Sequence, residues 1–248
     1  MSEQNHLLPE ITPAAKGAPA HSRRHFLGLA GALAGAGIIG LSSCSKDDNN
    51  PVTPVNTGID LGSGDVGILN YAYALEQLES AFYKEVVAKS ASVLQANELA
   101  FMKDIAAHEL AHAKFFKAAI AAAGATPLQD LTPDFSSITF TDRTAVLNVA
   151  KTFEDLGIAA YNGAGKLLKT AAYLTIAGKI VSVEARHAAL IRDLISPGSF
   201  ADLASADLMG LGSDNANGLD GALSPDQVLS AAGKYIKERL NASNLPKS

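Results

Sequence analysis

Six residues of this chain repeat one pattern twice, a Glu followed about thirty residues later by Glu-x-x-His. The first copy is Glu76 with Glu109 and His112; the second is Glu154 with Glu184 and His187. The intervals are 33 residues from Glu76 to Glu109 and 30 from Glu154 to Glu184, and a Tyr follows each lone Glu seven residues on, Tyr83 and Tyr161. Carboxylates mixed with imidazoles suit iron, manganese or zinc. One Glu from each of two helices, with a Glu-x-x-His from each of two others, is the donor set of a two-metal carboxylate centre inside a four-helix bundle. Such a centre serves redox chemistry, its metals cycling against dioxygen or peroxide while carboxylate bridges absorb the change in charge.

Four helices must carry these donors. Helical periodicity fills residues 68–195, with no sustained strand alternation. The pattern predicts helices over 68–89, 95–123, 142–168 and 171–195. The first and third connections are short, so those pairs are expected to be antiparallel neighbours. Residues 124–141, which include Gly124, Pro127 and Pro133, are long enough to cross the length of the bundle. The predicted fold is therefore all-α, two antiparallel helix pairs joined by a long crossover, with a short C-terminal helix after them.

The donors fall on the inward faces of these helices. Met102, Ile105, Glu109, His112, Phe116 and Ile120 step by three or four, as do Ala177, Ile180, Glu184, His187, Ile191 and Leu194. The third helix offers Val146, Ala150, Phe153, Glu154, Gly157, Tyr161 and Leu168. The first offers Ala72, Leu75, Glu76, Glu79, Phe82, Tyr83 and Val86. Glu79 lies one turn from Glu76, so both are candidates for the first ligand; the Tyr seven residues on favours Glu76. Burying carboxylates on apolar stripes costs several kcal/mol for each unpaired ion. No Lys or Arg stands on these stripes to neutralise them, whereas two divalent cations would.

His108-Glu109-Leu110-Ala111-His112 also has the His-Glu-x-x-His form of zinc proteases. That chemistry needs a third ligand and an open coordination position. No Glu or His occurs between His112 and Glu154, and the second Glu-x-x-His would be left without a purpose. His108 lies about 100° around the helix from Glu109, towards a neighbouring helix or solvent.

The phrases Ala74-Leu75-Glu76-Gln77-Leu78-Glu79-Ser80-Ala81-Phe82-Tyr83, His108-Glu109-Leu110-Ala111-His112, Phe153-Glu154-Asp155-Leu156-Gly157 and Val183-Glu184-Ala185-Arg186-His187 together resemble the ferritin-like superfamily of di-iron carboxylate proteins. The resemblance covers residues 68–195, in the branch of desiccation-related and bacterial ferritin-like-domain proteins. It implies that Glu76, Glu109, His112, Glu154, Glu184 and His187 are metal ligands, with Glu109 and Glu184 bridging, and that Tyr83, Tyr161 and Glu79 lie just behind them. It implies two metal ions, iron first and manganese as the alternative, since manganese catalases use a similar set.

Residues 1–43 describe an address. Ser22-Arg23-Arg24-His25-Phe26-Leu27 has the twin-arginine export form, and the apolar run 27–41 is too short to span a membrane. Leu41-Ser42-Ser43-Cys44 resembles a bacterial lipobox, which leaves Cys44 lipidated at a new N-terminus. Cys44 is the single Cys of the chain, which removes internal disulfides and any rubredoxin-type iron site. Residues 44–67 are Pro, Gly and Thr rich and read as a flexible tether. Asp47-Asp48 resembles a surface-export signal, so periplasm-facing and cell-surface placements both remain open.

The chain carries net charge −5; residues 1–43 hold Lys16, Arg23 and Arg24 against Glu3 and Glu10, so residues 44–248 carry −6. A mildly acidic chain without basic clusters is no partner for nucleic acid. In the tail, residues 196–248, Asp214-Asn215-Ala216-Asn217-Gly218-Leu219-Asp220 has the composition of a calcium loop but not its spacing. Ser224-Pro225 predicts a last helix to about residue 240. The expected protein is a lipid-anchored envelope protein that oxidises Fe(II) or removes peroxide, with an external electron donor or small oxidant as partner and self-association open. A metal-free scaffold for stress protection or binding is the alternative.

Overall fold

The computed structural model describes residues 58–247. The signal segment, Cys44 and the tether up to residue 57 lie outside the described residues. Four long helices dominate: α1 (Gly64–Lys89), α2 (Ala96–Ala122), α3 (Arg143–Gly165) and α4 (Ala171–Ile195). At 23 to 27 residues each they run about 35–40 Å. Two short helices follow, α5 (Ala206–Gly210) and α6 (Pro225–Ala232), and a two-stranded parallel ribbon joins β1 (Ile59–Asp60) to β2 (Leu240–Asn241).

The long helices begin where the sequence supplies caps. Asp142 accepts from the Ala145 amide at 3.0 Å. At the start of α2 the Gln95 amide donates to Glu98 Oε2 at 2.8 Å, and Asp65 on α1 receives the Lys169 and Thr170 amides ahead of α4. Each of these satisfies a helix-start donor that would otherwise be orphaned. α1 pairs with α2 and α3 with α4, and the inward stripes close one core from Leu75 and Phe82 to Met102, Ile120, Phe153 and Ile191.

The crossover runs along α1 as its length requires. The Leu128 amide donates to Asn70 Oδ1, the Leu131 amide to Gln77 Oε1, and Ser90 Oγ to the Phe140 carbonyl. It thereby covers the outer face of α1, whose residues from Gly67 to Glu76 are all buried. A helix enclosed on every side is apolar all round rather than amphipathic, which accounts for the run Ile68-Leu69-Asn70-Tyr71-Ala72-Tyr73-Ala74-Leu75.

Two expectations need correction. The tether does not extend to residue 67: the Ile59 amide donates to the Arg239 carbonyl at 2.8 Å and the Leu61 amide to the Asn241 carbonyl at 3.1 Å. Leu61 is fully buried, and α1 begins at Gly64. The last helix stops at Ala232 rather than near residue 240. Beyond it, the Tyr235 carbonyl accepts from the Asp134 amide and the Lys237 amide donates to the Thr132 carbonyl. Backbone pairing with the crossover and β1 outcompetes further helix there, and Gly233 lowers helical propensity at the break. The apolar face of α6 does dock on the bundle: Val228 and Ala232 are buried, and Tyr235 packs edge-on against Phe153 with centroids 4.8 Å apart.

Candidate metal centre

Each long helix delivers its donors to one level of the bundle. Glu76 comes from α1, Glu109 and His112 from α2, Glu154 from α3, and Glu184 and His187 from α4. A separation of three residues stacks the Glu and His of each pair one turn apart on a single face. The donor atoms form two interlocking groups, Glu76, Glu109, His112 and Glu184, and Glu109, Glu154, Glu184 and His187, with atoms of each group within 4.8 Å of one another. Glu109 and Glu184 belong to both, the arrangement bridging carboxylates require. All four carboxylates are at most 1% exposed, and the His112 side chain is 13% exposed.

The imidazole Nδ1 atoms face this interior. His112 Nδ1 stands 3.0 Å from Glu184 Oε1 and 3.4 Å from Glu76 Oε2; His187 Nδ1 stands 2.9 Å from Glu109 Oε1 and 3.4 Å from Glu154 Oε2. These contacts are close, yet they miss hydrogen-bond geometry. Glu76 Oε2, both oxygens of Glu109, Glu154 Oε2, both oxygens of Glu184 and the two Nδ1 atoms are all buried without a hydrogen-bond partner. Buried polar atoms are rarely left unpaired. Eight of them converging in two shared tetrads fit a pair of cations, and the donor set suits iron, manganese or zinc.

The two tyrosines cross between the halves of the bundle. Tyr83 on α1 donates to Glu154 on α3, and Tyr161 on α3 donates to Glu76 on α1. Both phenols are pushed well up, first by burial and then by the carboxylate each one faces, so they stay protonated donors. Each holds one oxygen of its Glu and leaves Oε2 towards the centre. Glu79 joins neither tetrad. It is 5% exposed and lies against α3, where a Cβ on Gly157 would stand 3.0 Å from its Oε1. The lone Glu that reaches the cluster from α1 is therefore Glu76.

Electrostatics follow from placing charges in an apolar core. Burial raises Glu76 well above the usual carboxylate range, opposed by His112 and helped by the charges of Glu184 and Glu109. Glu79 is raised likewise, by burial and then by the surrounding carboxylates, and burial lifts Glu154 to about 8. Burial works the same way on Glu109, but the two imidazoles facing it outweigh that and hold it down to about 2. Burial would lower both histidines; the carboxylates around them push each up to about 12. Each imidazole thus supplies positive charge beside carboxylates that would otherwise face one another uncompensated.

Other contacts carry less obvious sequence signals. His108 joins neither tetrad; its Nδ1 lies 2.9 Å from His187 Nε2. The sequence left a neighbouring helix and solvent both open for it; His108 is exposed and also meets His187 across the helix pair. Arg192 and Asp155, 6% and 3% exposed, form a buried two-pronged ion pair between α4 and α3, which no local pattern announces. An apolar cavity of about 20 Å³ has Tyr161 among its walls, with Leu75, Phe116, Ala164 and Ile176. It has room for about one molecule of the size of water or dioxygen.

The sequence model of the ferritin-like domain family matches residues 64–197, from the first turn of α1 to the residues just past α4. No curated protein matches the chain.

Proposed function

This chain belongs to the ferritin-like domain family, and from that premise we propose that it is a dimetal redox protein of the cell envelope that oxidises Fe(II) or removes peroxide. The observation carrying this reading is the convergence of eight buried donor atoms, none with a hydrogen-bond partner, in two tetrads that share Glu109 and Glu184. Glu76 and His112 would hold one metal, Glu154 and His187 the other, and the shared carboxylates both. When bound, an iron or manganese pair supplies the electrons that reduce dioxygen or peroxide.

The chain's own residues set the terms for that chemistry. Tyr83 and Tyr161 fix one oxygen each of Glu154 and Glu76, so the second oxygen is oriented before any ligand arrives. Phe82, Met102 and Ile105 are almost fully buried around the centre and keep bulk water away, which strengthens charge interactions inside. The small apolar cavity lined in part by Tyr161 matches dioxygen better than a bulky organic substrate. Glu79, its carboxyl raised by burial and then by the neighbouring carboxylates, can hold a proton beside the centre. The twin-arginine segment and Cys44 support export and lipid anchoring, and the phrases around Glu76, Glu109, Glu154 and Glu184 support the desiccation-related branch.

Metal analysis of the purified chain tests the proposal. About two Fe or Mn per chain are expected, consistent with two tetrads, and both should be lost when Glu109 and Glu184 are changed to Ala. Glu76→Gln should retain one. Rapid consumption of Fe(II) with oxygen, or of peroxide, by the loaded protein completes the reading. A folded protein that takes up no metal after anaerobic reconstitution would sink it and leave the metal-free scaffold.

A further inference from the structure

We infer that His108 is a positioning residue for His187 and makes the two metal positions unequal in affinity, an inference that rests on the two-metal reading of the centre. His187 is engaged on both sides. Its Nδ1 faces Glu109 at 2.9 Å, and its Nε2 lies 2.9 Å from His108 Nδ1 with the ring planes 12° apart. A metal at Nδ1 needs the lone pair of that atom, so the ring hydrogen must sit on Nε2. Only one hydrogen-bond direction is then open: His187 Nε2–H donates to His108 Nδ1, and His108 carries its own hydrogen on Nε2. His108 thus fixes both the tautomer and the rotation of His187. It also ties α2 to α4, since the helix that supplies Glu109 supplies the partner of the other half's imidazole.

The second half has no equivalent. The residue preceding Glu109 is His108, and the residue preceding Glu184 is Val183, whose side chain accepts no hydrogen bond. Among the described residues nothing hydrogen-bonds His112 Nε2, and that side chain is 13% exposed against 6% for His187. The duplicated ligand pattern is therefore symmetric in the atoms that would touch metal and asymmetric immediately behind them. The position built from Glu154 and His187 holds a pre-oriented imidazole; the position built from Glu76 and His112 must orient its own on binding.

Single-site backgrounds separate the two positions. Chelator-treated full-length protein carrying Glu76→Gln retains the His187 position, and protein carrying Glu154→Gln retains the His112 position. Each is titrated with Co(II) by visible absorption and calorimetry. His108→Ala should weaken Co(II) binding about 10–100-fold in the Glu76→Gln background and leave the Glu154→Gln background unchanged. His108→Asn, whose Oδ1 can take the place of Nδ1 as acceptor, should recover most of the loss. Val183→Ala is the matched control and should change neither. Equal losses in both backgrounds, or no rescue by Asn, would mark a general structural effect and overturn the inference. Undiminished binding with His108→Ala would overturn it while leaving the two-metal reading intact. Failure of the unmutated protein to bind Co(II) would overturn both.

Discussion

Loading the centre must expel protons, and the number can be worked from the site. Near pH 7, His112 and His187, each pushed up to about 12, carry imidazolium protons on or beside the atoms a metal would take. Glu154, lifted to about 8, is largely protonated as well, and burial raises Glu76 in the same direction. Glu109, held down at about 2, is already ionised. Ligands must be deprotonated to bind, so filling both positions releases at least about three protons, one each from His112, His187 and Glu154, and any proton that the raised Glu76 holds adds to them. Metals compete with protons, so affinity rises with pH. Between about pH 6 and 8 the combined loading constant should climb at least roughly a thousandfold per pH unit, or about 4 kcal/mol. Above the value for Glu154 the slope should fall by one proton. Calorimetric titration of chelator-treated protein with Mn(II) or Co(II), in two buffers of different ionisation enthalpy, reads the proton count directly. Release of one proton or none per metal pair would refute the reasoning, because the imidazoles would not then be the cations that balance the carboxylates of chelated protein.

The same groups reverse the usual dependence of stability on pH. In chelated protein the raised carboxyls of Glu76, Glu79 and Glu154 contribute fully below about 4.5 and lose that contribution as pH climbs through their folded values. His112 and His187 contribute fully below 6.5 and lose it on the way to about 12. Thermal unfolding followed by circular dichroism should therefore give a higher Tm near pH 6 than near pH 8.5, and an inverted order would count against the buried cluster. Tyr83→Phe and Tyr161→Phe each remove the donor that orients one Glu and should weaken metal binding about 10–100-fold; isothermal titration showing unchanged affinity would mean the crossed tyrosines are packing residues only. Arg192→Met leaves Asp155, 3% exposed, without its partner and should cost about 3–5 kcal/mol, or about 6–20 °C in Tm. A shift under about 2 °C on a thermal melt would show that water or another side chain satisfies Asp155.

How much of this was readable beforehand depended on the range of the interaction. The helix beginning at 171 and ending at 195 is found at those residues, and Gln95 and Asp142 stand as caps at the heads of their helices. Local rules of periodicity and capping decide these. Glu109 with His112, and Glu184 with His187, share a face because a three-residue separation on any helix turns both side chains one way. The choice of Glu76 over Glu79 needed the rotation of α1 against α3, with Gly157 packed on Glu79. The extension of the last helix failed because Tyr235 and Lys237 make backbone partners a hundred residues away in the crossover, and helical propensity is a weak prior against such pairing.

Sequence alone determined the kind of atoms available and the face on which each lies. Four carboxylates and two imidazoles on apolar stripes are a burial problem whatever the fold, and cations solve it. Tertiary structure decided who meets whom. Tyr83 serves Glu154 and Tyr161 serves Glu76, each across the bundle rather than along its own helix, and His108 completes a ligand on α4. Those pairings depend on the relative rotation and stagger of packed helices, which side-chain packing sets over the whole interface and no stretch of a single helix encodes.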